Sequence, residues 1–355
     1  VAALVVFASF VLCAPAWAGN ASASPTRHAP KAHLSVSPGT LTYLGGRVTV
    51  KWSSAHATRC TLTASPRFWA GRDSKHVKCH GRIRPVIAAA ALPLRWQFTL
   101  RAKNAKGQVA VVRRKLVVHA PPFAVSPNWS GYVVPSTTPV TSVSGQFTVP
   151  KLNCKHTPNA GESTWAGIGG AGASSGDLLQ TGVRSDCEGG AQRNDAAWWE
   201  EYPQKPEIDF NTMSVSPGDS MRASVVQNPG GSWTTRLDDL TTGISGVMTT
   251  GQSFGTVLDS SPTVWLHEEG SAAAVSYAGG YTAEWIVEAF EFSNGFLVQL
   301  ADFGKVTFTG LTTSVPGWKL TGAEQVGIGD EGGYLYDAPS RPDSSGRGFS
   351  VSYVG

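Results

Sequence analysis

Apolar and polar side chains alternate along most of the chain, and this two-residue period predicts strands rather than helices. Arg47–Trp52 (RVTVKW), Trp96–Arg101 (WQFTLR) and Val109–Val118 show it in the first third. Gly145–Pro150, Asp177–Val183, Ser220–Val226, Val264–His267, Tyr281–Phe292, Phe296–Asp302 and Val306–Thr309 show it in the remainder. Gly-, Ser-, Thr-, Asn- and Asp-rich turns separate these runs. No long segment has a 3.6-residue period and no strand–helix–strand alternation is present, so the expected sheets are antiparallel and the fold class all-β. The pattern divides the chain. Residues 33–119 suit a small β-sandwich, 120–127 (APPFAVSP) a Pro-rich linker, and 128–355 one large antiparallel β-sandwich. Residues 19–32, small and polar, read as a flexible leader.

One predicted strand breaks the pattern. Tyr281–Phe292 (YTAEWIVEAFEF) is aromatic and β-branched, yet it carries Glu284, Glu288 and Glu291. Alternation puts Glu284, Ile286 and Glu288 on one face and Trp285, Val287 and Glu291 on the other. Carboxylates are depleted in strands, and a buried one is costly unless it is paired or protonated. A solvated edge strand is the ordinary reading; acids aimed into a cleft are the functional one.

Charge sharpens the division. Residues 19–119 carry 18 Lys and Arg against one acid, Asp73, a net charge of +17. Residues 120–355 carry 11 Lys and Arg against 24 acids, a net charge of −13. The modest total of +4 conceals two opposed halves, which points to a function for the basic part or to mutual attraction of the two. Residues 1–18 form a short apolar run ending in Ala16-Trp17-Ala18, the pattern of a secretory signal peptide. A membrane span is not expected, because Pro15 interrupts the run and no later stretch is apolar for long enough. The expected location is extracellular. Four cysteines then remain, and spacing favours Cys60–Cys79 and Cys154–Cys187 as disulfides, one in each part. Zinc is the competing reading, opposed by the lack of any C-x-x-C or clustered histidine pair.

Familiar catalytic patterns fail. Gly172-Ala173-Ser174-Ser175-Gly176 matches G-x-S-x-G but lies in a turn before a strand, not at a strand–helix elbow. His156 and His267 are the only histidines after residue 119, and His267-Glu268-Glu269 is no zinc-peptidase motif. What remains is a glutamine, Gln180, central in a strand, and an aromatic pair beside two acids in Trp198-Trp199-Glu200-Glu201-Tyr202. Asn128-Trp129-Ser130-Gly131-Tyr132 and Thr164-Trp165-Ala166-Gly167-Ile168-Gly169 precede them.

Taken in order, NWSGYVV, FTVP, TWAGIGG, LLQTGV, AAWWEEYP and AEWIVEAF resemble the landmarks of the glutamic peptidases called eqolisins, over about residues 126–310. The order GGRVTVKW, ATRCTL, KCHG, WQFTLRAKNAKG loosely resembles bacterial immunoglobulin-like modules. The first resemblance implies two bent, concanavalin-like antiparallel sheets and a Gln/Glu dyad that hydrolyses peptide bonds in acid without metal or cofactor. Matched by motif, Gln180 and Glu288 are the catalytic pair. Trp129 and Trp165 line the cleft, and Glu200, Tyr202 and Glu291 lie near the site. Where fungal members carry Asp, this chain has Gly169 and Arg184. The implied substrate is protein or peptide, acted on by a monomer with no need of nucleic acid. The basic module is expected to dock on the acidic domain or on an anionic cell wall. The competing classes are a secreted carbohydrate-binding protein, suggested by 12 Trp, and a glycosidase using Glu200 and Glu288.

Overall fold

A computed structural model describes residues 28–66, 74–172, 176–258, 265–272, 277–291 and 295–355. The expected signal segment, residues 67–73 with Asp73, and Ser174 lie outside these. The regular secondary structure of the described residues is almost entirely strand, and two compact units form. One comprises residues up to Pro122 with Asp330–Tyr334, the other Phe123–Gly329 with Leu335–Gly355.

The first unit packs a three-stranded sheet (Lys31–Ser37, Thr49–Ala55, His80–Ile83) on a five-stranded one built around Leu94–Lys103, Val109–Val118 and Arg59–Ser65. Alternation decides which side chains meet between them: Leu34, Val50 and Trp52 from one sheet, Leu62, Phe98, Leu100 and Leu116 from the other. The Cys60–Cys79 disulfide, with Cα atoms 5.2 Å apart, lies at this core. The first strand starts at Lys31, inside the segment expected to be leader, because Leu34 and Val36 pair with Trp52 and Val50.

The second unit is a two-sheet sandwich. Its eight-stranded sheet has Trp129–Val140, Gly280–Glu288, Ala160–Gly169, Leu178–Glu188 and Ala191–Tyr202 side by side at its centre. The facing nine-stranded sheet includes Ser142–Thr148, Ser220–Gln227 and Lys305–Thr313. Trp285, Val287, Leu179, Val183 and Trp199 from the first sheet pack with Phe147, Met221, Val225, Leu237 and Phe308 from the second. The Cys154–Cys187 disulfide ties the loop before Ala160 to the end of the Leu178–Glu188 strand.

Four expectations change. Phe296–Asp302 is no strand: its contacts are single bridges, Glu291 with Leu297 and Gly161 with Leu300. Phe296 is 71% exposed, so the segment's alternation does not bury one continuous face. Ala124–Ser126, expected in the linker, forms an edge strand parallel to Glu324–Ile328. Thr40–Leu41 also pairs in parallel with Val117–Val118, so antiparallel pairing is dominant but not universal. Finally, the Tyr281–Phe292 strand runs from Gly280 to Glu288 and ends there.

Candidate active site

Register places the candidate residues on one face of the eight-stranded sheet, the face turned away from the inter-sheet core. Residues paired across neighbouring strands share a face, and three rows cross the sheet. Trp129, Glu288, Ser163 and Arg184 make the first. Gly131, Ile286, Trp165, Gly182 and Trp198 make the second. Val133, Glu284, Gly167, Gln180 and Glu200 make the third. Val133, Trp165, Leu178, Trp198 and Ile286 form an apolar patch on this face, separate from the main core, with Trp129 packed on it. Acids on the Gly280–Glu288 strand therefore stand on an apolar floor.

Close approach of these strands requires glycine at Gly131, whose φ is +150°. A Cβ there would meet the carbonyl oxygen of Trp285 at 2.1 Å. At Gly167 a Cβ would press on Leu178, Gln180 and Trp165 at 2.9–3.1 Å, so the missing side chain leaves room for Gln180.

Glu288 sits in a cradle of three N–H donors. Asn128 Nδ2 and Trp129 Nε1 donate to Oε1 at 2.9 and 3.1 Å, and Trp165 Nε1 donates to Oε2 at 2.7 Å. The two indoles meet edge to face, 5.1 Å between centroids. Burial pushes the Glu288 carboxyl up to about 7; the three donors pull it down, and Glu200 pushes it up. Gln180 is 4% exposed. Its Nε2 donates to Glu200 Oε2 at 2.5 Å, while its Oε1 is buried with no hydrogen-bond partner. Burial raises Glu200 to about 6 against the opposing Gln180 amide. Gln180 and Glu288 are not hydrogen-bonded to each other. Glu200 connects them, bonded to one and repelling the other's charge.

The remaining candidates disperse. Tyr202 ends its strand opposite Leu178 and is 56% exposed. Glu291 is exposed beyond the strand end and pairs with Leu297, and it is not among the donors or acceptors around Glu288. Asn128 joins the site unforeseen; its place before Trp129 in the NWSGY segment was the available signal. Arg184 shares the row of Glu288, yet its guanidinium is engaged by Glu207, by Asp186 at 3.4 Å and by Asp209 at 3.5 Å. Its charge is thus balanced locally, and the cause of the Glu288 shift lies elsewhere. Gly169 has φ of +95°, and a Cβ there would meet the Asp177 carbonyl oxygen at 2.2 Å. An Asp cannot stand at that position without moving the turn.

The family model described as "Peptidase A4 family" matches residues 127–346. The chain belongs to the peptidase A4 family. Aspergillopepsin-2 of Aspergillus niger is 31% identical over 249 residues, 64% of this chain and 78% of that protein. Scytalido-glutamic peptidase, solved with a transition state analog inhibitor, is 27% identical. The match covers 65% of this chain and 100% of that one, with a TM-score of 0.49. A second crystal structure of that enzyme, with a peptide based transition state analog, is 26% identical over the same shares, with a TM-score of 0.48. This A4 peptidase is a glutamic endopeptidase, a hydrolase acting on peptide bonds.

The cradle makes one direct prediction. Replacing Trp165 by Phe removes the 2.7 Å donor from Glu288 Oε2. A hydrogen bond to a charged group is worth about 1.5–3 kcal/mol. The Glu288 pKa is therefore expected to rise further above about 7. A carboxyl-carbon NMR titration of the variant checks this; an unchanged or lower pKa contradicts it.

Proposed function

We propose that Gln180 and Glu288 form the catalytic dyad and cleave the peptide bond by direct attack of water. The observation that carries this reading is the Glu288 cradle: a carboxyl held by three donors on an apolar face, with a glutamine amide aimed at the same face. Ionised Glu288 takes a proton from the water as it attacks the scissile carbonyl, then delivers that proton to the leaving nitrogen. No acyl-enzyme forms. The Gln180 amide offers two donors and one acceptor and does not titrate. Glu200 holds one N–H, leaving the second N–H and Oε1 for the water and the developing oxyanion. One such donor is worth about 3 kcal/mol in comparable sites.

Burial changes the expected pH window. An ordinary carboxylate, near 4.3, would act as base in strong acid. With Glu288 at about 7 and Glu200 at about 6, the base form is populated only in mild acid and above. The expected kcat/KM rises with pH along an acid limb between about 6 and 7. A protein-digestion assay from pH 3 to 8, with Gln180→Ala beside the parent, tests both points. The variant is expected to lose about 10²–10³-fold in kcat. Full activity of Gln180→Ala overturns the dyad. A maximum near pH 3 means Glu288 acts in its protonated form, not as a base.

The enzyme works outside the cell in this reading, supported by the apolar segment ending in Ala16-Trp17-Ala18 and by two disulfides. The first unit's two-sheet core around Trp52 and Cys60–Cys79 supports an immunoglobulin-like module.

A further inference from the structure

The outward face of the first unit's five-stranded sheet carries a diagonal stripe of cations. Register aligns Arg59 with Lys103, and Arg101 lies two residues before Lys103 on the same strand face. Thr99, next on that face, pairs with Arg113, and Gln97 pairs with Lys115. Arg95 completes the row along Leu94–Lys103. All six cations are exposed. Successive same-face residues on a strand are about 7 Å apart and neighbouring strands about 4.8 Å apart. The stripe therefore runs across three strands without a gap larger than one side chain. Thr61, Thr63, Thr99 and Gln97 lie between them, Val109 and Val111 lie beside Lys103 and Arg101, and no acidic or aromatic residue shares this face of the three strands. Among the described residues the ion pairs all lie in the other unit, and none of the six cations is paired with a described carboxylate.

We infer that this face binds a linear polyol-phosphate polymer. Six unpaired cations on an open sheet face suit a chain of repeated anions rather than a small ligand. Four of the six are Arg, whose guanidinium fork engages phosphate oxygens in pairs. The lack of aromatics on this face of the three strands argues against single-stranded nucleic acid, whose binders stack bases on aromatic rings. Acid chooses between anions. Exposed carboxylates, with a pKa of about 4.3, begin to protonate only as pH falls toward about 5 and below, while phosphodiesters stay ionised. Acidification therefore weakens docking on a carboxylate-rich surface, including the enzyme's own acidic unit, and leaves binding to phosphate intact.

The test is binding of the full chain to poly(glycerol phosphate), measured by calorimetry at pH 5 and 7.5 over a salt series. It needs no catalysis, so it stands or falls apart from the dyad. Binding is expected at both pH values and to weaken steeply with salt. Arg101→Gln/Lys103→Gln/Arg113→Gln is expected to lower affinity at least tenfold and to flatten the log–log salt slope by about 2, at about 0.7 per contact. A control, Lys31→Gln/Lys51→Gln/Arg82→Gln on the other sheet, removes the same charge and is expected to leave affinity within about twofold. Equal losses in both variants, no binding at pH 5, or binding to single-stranded DNA or polyglucuronate as tight as to poly(glycerol phosphate) would overturn the proposal.

Discussion

Glu288→Gln is expected to lower kcat by about 10³-fold or more while leaving KM within a few-fold. General acid–base groups contribute about 10²–10⁴, and Glu288 is asked to serve twice, as base toward water and as acid toward the leaving amine. Glutamine keeps the size and an acceptor oxygen for the indole of Trp165 or of Trp129, so the cradle is expected to persist. What is lost is the titrating group alone. Steady-state kinetics on a peptide substrate measures the split, with the thermal transition as a check on folding. A folded variant with near-parent kcat would remove Glu288 from the chemistry. Glu200→Gln makes the contrast. It keeps a partner for the Gln180 amide but removes the charge that pushes Glu288 up. The acid limb of kcat/KM should then move to lower pH with a smaller loss of rate.

The sequence made the strands and their faces legible because alternation is a local property. Glu284, Ile286 and Glu288 on one side and Trp285 and Val287 on the other are as expected, since a period of two cannot be misread over nine residues. Strand ends were less legible. Ala124–Ser126 pairs with Glu324–Ile328, almost two hundred residues away, and nothing in APPFAVSP announces that partner. Phe296–Asp302 alternates like a strand but meets its neighbours at single bridges. The site divides the same way. The motifs gathered Trp129, Trp165 and Glu288, which the fold brings into hydrogen-bonding contact. Asn128 was hidden because a side-chain amide beside a turn ordinarily serves the turn. Arg184 looked like a disturbance to the site until the pairing of three strands brought Glu207 and Asp209 beside it, together with Asp186 of its own strand. Long-range charge balance of that kind depends on register, which one sequence does not display.

The thermal transition of the peptidase unit is expected to fall by about 10–20 °C between pH 4.5 and pH 8. Five acids, Glu162, Glu284 and Asp337 fully buried and Glu200 and Glu288 half-buried, hold protons above the carboxylate range, and desolvation is the first cause for each. Glu200 stands at about 6, Glu288 and Asp337 at about 7 and Glu162 at about 8, with Glu284 also raised well above its ordinary value. In the unfolded chain the glutamates lose their protons near 4.5 and Asp337 near 3.8. Between those values the folded state binds more protons than the unfolded one, so stability falls as pH rises. The contribution is complete below about 4.5 and is lost as pH passes through about 6 to 8. Each pKa unit corresponds to about 1.4 kcal/mol. Relaxation around buried charges reduces the sum, leaving a loss on the order of 5 kcal/mol, which gives the stated shift for a domain of this size. Asp238 does not offset it. Burial raises its pKa, but hydrogen bonds from Ser245 and Arg222 and the charges of Arg236 and Arg222 bring it below the ordinary value, so its contribution disappears only in stronger acid. Glu162 isolates the effect, because it is fully buried and accepts a hydrogen bond from Thr164 at 2.7 Å outside the proposed dyad. Glu162→Gln should raise the transition at pH 8, change it little at pH 4.5, and so flatten the slope. A transition higher at pH 8 than at pH 4.5, or a slope untouched by Glu162→Gln, would contradict this account. The two pressures oppose each other: Glu288 needs a pH high enough to ionise, and the buried acids need one low enough to stay protonated. Mild acid is where both are met.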